Sequence, residues 1–121
     1  MVLGKLDQKR FPFFREQSSA GVSDIFNNTM YGSLTLEISG VEAIQLKVQG
    51  CIKIEDADKN PIPEQDLEWS DLGLIAIKNF TVVETAVANG IYSVSIAGLN
   101  KVRVVIESVT GDATVIGVLE A

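Results

Sequence analysis

Histidine is absent from these 121 residues. That removes the commonest general base, the Ser–His and Cys–His nucleophile pairs, and most zinc and iron sites. Cysteine occurs once, at Cys51, so the chain can form neither an intrachain disulfide nor a cage of thiolates around a metal. Cys51 is flanked by apolar residues and reads as a small core or boundary residue, not a nucleophile. No apolar run approaches the length that spans a bilayer, because Lys53 and the acidic residues after it interrupt the best candidate. The opening MVLGKLDQKR carries charges where a secretory signal has its apolar core, so neither a signal peptide nor a membrane partner is expected. Basic residues are the scarcer sign: 10 Lys and Arg against 16 Asp and Glu leave a net charge of −6. That balance opposes nucleic-acid binding, whose affinity comes largely from neutralised phosphates. It suits solubility and sets the long-range repulsions of the molecule.

What the chain does have is alternation. In NGIYSVSIAGLNKVRVVI, from Asn89 to Ile106, Tyr92, Val94 and Ile96 alternate with Ser93, Ser95 and Ala97. After Gly98–Asn100, Val102, Val104 and Ile106 alternate with Lys101, Arg103 and Val105. A period of two marks strands with one buried face, and the short Gly/Asn connector predicts a hairpin at the centre of a sheet. The same period covers Leu34, Leu36 and Ile38 before a turn at Gly40, then Ile44, Leu46 and Val48. Gly50-Cys51 interrupts that pattern before Ile52 and Ile54, which predicts a bulge or a bend between sheets. Further strands are expected at Leu72–Ile77, at Thr81–Thr85, and at Ala113–Leu119 after a turn at Thr110–Asp112, where Gly117 marks a close approach by another backbone.

Seven or eight short strands near ten residues apart, with no amphipathic helix, predict an all-β fold. It is a single antiparallel β-sandwich, jelly-roll-like or Ig-like. Two segments stand apart from it. Residues 1–17 form a basic, aromatic arm with Lys5, Lys9, Arg10 and Arg15 against Asp7 and Glu16, and the FPFF run at Phe11–Phe14. Its phenylalanines either close one end of the core or, with Lys5, Arg10, Phe11, Phe13, Phe14 and Arg15, reach a neighbouring subunit. Residues 18–121 are the sandwich domain. Within it, Ser18–Tyr31 reads as a loop whose N-x-[ST] match at Asn27 is chance. Glu55–Asp71 reads as an exposed loop with seven acidic residues, one lysine and the prolines Pro61 and Pro63.

The acidic loop offers the one metal candidate. Asp56, Asp58 and Asn60 match the D-x-D-x-N start of a calcium loop, but Pro61 stands where that loop needs glycine and Leu67 where it needs glutamate. A solvated loop is the better reading, and no cofactor is expected. Carboxylate pairs for glycoside hydrolysis need to face each other across a sugar; here the acids crowd into one loop, so no enzyme is expected. Trp69, with Asp66 and Glu68 beside it, is the candidate platform for a glycan, and the plainer reading packs Trp69 at a sheet edge. Arg103 is expected on the outer face, toward solvent or a partner subunit.

From Trp69 to Gly117 the chain resembles small β-sandwich proteins and domains of tailed bacteriophage virions and prophages. The resemblance is carried by WSDL at Trp69–Leu72, GIYSVSIAGLNKVRV at Gly90–Val104, and the terminal GDATVIGV. GSLTLEISG at Gly32–Gly40, followed by QLKVQG, resembles the first strands of the same modules, so that about two-thirds of the chain is covered. The resemblance implies a non-enzymatic structural protein of the virion, made in the host bacterial cytoplasm. It would be a capsid-surface decoration or head-fibre-type component that assembles as a homo-oligomer, a trimer, and contacts other virion subunits. The alternative it implies is a carbohydrate-binding module of a phage tail or baseplate that contacts host glycans.

Overall fold

The computed structural model describes residues 8–121. Among the described residues nine strands carry the fold: β1 (Lys9–Gln17), β2 (Gly21–Val22), β3 (Phe26–Asn27), β4 (Ser33–Cys51), β5 (Ser70–Leu72), β6 (Leu74–Ala76), β7 (Thr81–Val83), β8 (Gly90–Ser95) and β9 (Lys101–Glu120). The protein is all-β. Hydrogen bonding joins every strand into one antiparallel sheet in the order β1-β9-β4-β8-β6-β7, with β2 and β3 on β9 and β5 on β4. Where the sequence predicts several short strands in stacked sheets, two strands of 19 and 20 residues run through the whole assembly and pair along their length. No helix among the described residues is long and apolar enough to cross a membrane.

Each long strand has two halves. The first half of β4 and the last half of β9 lie between β1 on one side and β8, β6 and β7 on the other. The second half of β4 and the first half of β9 lie between β2 and β3 on one side and β5 on the other. The ladder does not run straight. Phe26 pairs opposite Val102 and Phe11 opposite Gly117, yet their rings lie 5.3 Å apart. A straight strand would separate those two positions on β9 by roughly 50 Å. The ladder therefore folds back, and the inward residues of both halves join one core.

The bend is built from glycine and asparagine. Gly40 and Gly111 face each other across the ladder with φ of +82° and +106°. A Cβ on Gly111 would stand 2.7 Å from the Gly40 carbonyl oxygen, and one on Gly40 would strike the Asp112 carbonyl. The register slips here, between Ser39 and Val41 and again before Ala43. An odd extra residue turns the side chains that follow to the other face, and a second restores them. Buried Ile38, Val41 and Ile44 record that change of phase. Asn89 then completes the bulge: its Oδ1 accepts from the Val41 N–H at 3.1 Å and its Nδ2 donates to the Val41 carbonyl at 2.9 Å. Gly40 and Thr110–Asp112 are thus bends inside continuous strands instead of the expected turns. Gly50, where a bulge was expected, lies in regular register and is small because the Leu99 and Leu72 side chains cover it.

The predicted hairpin at Asn89–Ile106 does not form. Its two strands exist as β8 and the start of β9, but β4 separates them in the sheet. Ala97–Asn100 instead carries the chain from one half of the ladder to the other. Buried Asn28 holds that crossing: its Nδ2 reaches the carbonyls of Tyr31, Ile96 and Leu99, and its Oδ1 accepts from the Tyr31 N–H. Gly117 is small for a side chain, not for a backbone, since a Cβ there would meet Phe13 at 2.6 Å.

Candidate functional site

The inward faces of the sheet are uniformly apolar, so the difference between its halves lies outside. On the half flanked by β5, outward residues form a connected polar row. Arg103 Nε donates to Gln49 Oε1 at 2.8 Å, and Gln49 Nε2 donates to Asp71 Oδ1 at 2.9 Å. Lys47 lies 3.4 Å from Asp71 and 3.6 Å from Glu107. The register explains the row, because Gln49 stands directly opposite both Arg103 and Asp71. The Gln49 bond, and then the Lys47 charge, hold the Asp71 carboxyl below its ordinary value, while Asp71 and Glu107 raise Lys47. Partial burial pulls Arg103 down, with the charge of Glu64 opposing. Its guanidinium sits 4.2 Å from the Trp69 ring centre.

On the other half the outward positions are mixed, with exposed apolar residues standing among Thr35, Glu37 and Ser93. Ile91 and Ile75 are 46% and 40% exposed, and Ile116 and Val118 are half-buried. The face ends at the edge strand β7, where Val82 is 69% exposed, and at the β6–β7 turn, where Phe80 is 78% exposed. Val82 lies directly opposite Ile75, and an exposed apolar patch of this kind is a candidate interaction site. Phe80 also has φ +55°, a left-handed conformation that costs a bulky residue roughly 1–2 kcal/mol. A groove of about 190 Å³ lies farther in, lined by Ile91, Ile116 and Val118 together with Arg10, Thr35 and Glu37.

The residues singled out from the sequence fall in several places. Lys5 lies outside the described residues. Arg10 and Arg15 are exposed on β1, with Arg10 beside the groove. Phe13 and Phe14 are buried in the chain's own core, at 4% and 7% exposure, so they do not reach a partner. A bulge between Pro12 and Phe14 turns both inward, and Phe11 packs on Phe13 and Phe26. From Lys9 onward the expected arm is therefore an edge strand of the sheet. In the acidic loop, Asp56 Oδ1 accepts from the N–H groups of Asp58 and Asn60, both at 2.9 Å, closing its own turn. No three acidic or cysteine side chains cluster for a metal among the described residues. Asp66 and Glu68 are exposed and Trp69 half-buried, with one ring face covered by Arg103.

Sequence reasoning passes over Asn28, Asn89 and Phe80. One signal was available for the last: Leu72–Val83 carries apolar residues at both parities, which a strand needs only when both faces are covered.

No protein-family model matches the chain, and no curated protein matches it in sequence. Two solved structures match its fold. One is the SPBc2 prophage-derived protein YomS, with a TM-score of 0.77 and 26% identity over 95% of this chain and 94% of that one. The other is the PBSX exported protein XepA, with a TM-score of 0.74 and 17% identity. That likeness covers 94% of this chain but 38% of XepA, so the chain spans well under half the length of that protein.

Proposed function

We propose that this is a non-enzymatic structural protein of a bacteriophage particle that works by assembling with copies of itself and with other virion subunits. The observation that carries the reading is end-to-end likeness to a prophage-derived protein of nearly the same extent. The folded-back sheet serves as a sandwich, its two halves the layers over one core, and the outer face that carries Ile75, Ile91 and Val82 is its adhesive side. Within the particle the role is that of a capsid-surface decoration or head-fibre-type component, as the sequence resemblance implies. The glycan-binding alternative draws less support, since Arg103 already covers one face of Trp69.

Mass spectrometry of purified particles made from a genome encoding the chain tests the reading. The protein should be present in stoichiometric, repeated copies. Its absence from washed particles, with abundant protein left in the lysate, would overturn the structural role.

A further inference from the structure

This outer face contains both a ridge and a socket. The ridge is the β6–β7 hairpin at the end of the sheet, with exposed Phe80 in its turn and exposed Val82 on β7 opposite Ile75. The backbone at Phe80 adopts a conformation that bulky residues avoid, and such strain persists where something makes use of it. The socket is the groove over β9, β4 and β8, the last of which neighbours the hairpin's β6. A copy cannot bend its own edge strand onto its own face, so ridge and socket meet only between molecules.

Charge says which molecule fits. In the socket Glu37 stands between Ile91 and Ile116, and Arg10 lies opposite Val118. The hairpin carries Lys78 and Glu84 on either side of Phe80 and Val82. None of the four forms an ion pair with another described residue. We propose that the ridge of one copy docks in the socket of the next, with Glu84 facing the next copy's Arg10 and Lys78 its Glu37. Opposite charges fix register and orientation, while the buried aromatic supplies most of the affinity. Because the two surfaces differ, the contact is heterologous, and repetition closes a ring where the rotation allows. The inference rests on the self-assembly part of the function proposed above and names its surface.

The test uses full-length protein and sedimentation velocity. Phe80→Asp removes the ridge and Ile116→Lys fills the socket; each alone should weaken association roughly 30-fold or more, the scale of a hot-spot residue. Mixed one to one, the two variants should regain a two-copy species, because one intact ridge still meets one intact socket. If circular dichroism shows Ile116→Lys unfolded, Glu37→Arg at an exposed position replaces it. A mixture that stays monomeric overturns the head-to-tail contact. A wild type that assembles but ignores both variants overturns this surface alone and leaves self-assembly standing. A wild type that is monomeric at every concentration overturns both this surface and self-assembly, whereas the particle assay judges the virion role separately.

Discussion

At the scale of single residues, the structure depends on side chains that stand in for backbone. Asn89 gives Val41 the donor and the acceptor that a neighbouring strand would supply at the bulge. Asn89→Ala leaves both groups unmatched and should cost about 1–3 kcal/mol in urea unfolding, with no change in the folded spectrum. Phe80 behaves in the opposite way. Asparagine tolerates its left-handed backbone better, so Phe80→Asn should leave stability unchanged or raise it by up to about 1 kcal/mol while weakening assembly. A clear loss of stability would place Phe80 in the core instead. Asp71 is held below its ordinary value by the Gln49 bond and the Lys47 charge. Its stabilising contribution is therefore complete above the unfolded-state value and is lost as pH falls through the lower folded one. Asp71→Asn should flatten that acid limb slightly, and added salt should shrink the difference, since the pair is exposed. An unchanged acid limb would mean the polar row contributes nothing to folding.

At the scale of elements, alternation reports faces and not neighbours. Tyr92, Val94, Val102 and Val104 all point inward as their spacing predicts, yet β4 separates their strands. The pattern Gly-Leu-Asn resembles a hairpin connector because any short crossing needs the same permissive residues. Asn28, which decides that the chain crosses, lies far away in sequence and carries no local signal. Gly40 and Gly111 likewise read as turns, since a bend in a strand and a turn between strands both require left-handed backbone. The N-terminal segment shows what burial adds: FPFF suggests either core or partner, and the bulge in β1 sends Phe13 and Phe14 inward. Phe13→Ala should cost about 3–5 kcal/mol. Deleting residues 1–17 should abolish the cooperative unfolding transition, because it removes a strand of the sheet as well as two core rings. A truncated chain that melts cooperatively near the wild-type temperature would show β1 to be an accessory.

At the scale of the molecule, fold class was legible and architecture less so. The all-β, helix-poor character follows from the period of two and the spacing of breaks. That the strands join into one sheet does not, because continuity of β4 and β9 through their bends depends on contacts between residues such as Gly40 and Gly111, brought together only by folding. The candidate site was half legible: Arg10 borders the socket, whereas Phe80 and Val82 hid in an apolar run whose second face had no evident purpose. The contrast between the two outer faces, one with a polar row paired within the chain, the other with exposed apolar side chains at Ile75, Ile91 and Val82 among polar ones, underlies the proposed self-assembly. It is tested most directly by the molar mass of the full chain, measured by light scattering across a dilution series. A discrete oligomer that persists to low concentration and gives way to monomer on further dilution is the expected result. A monomer at every concentration would contradict it.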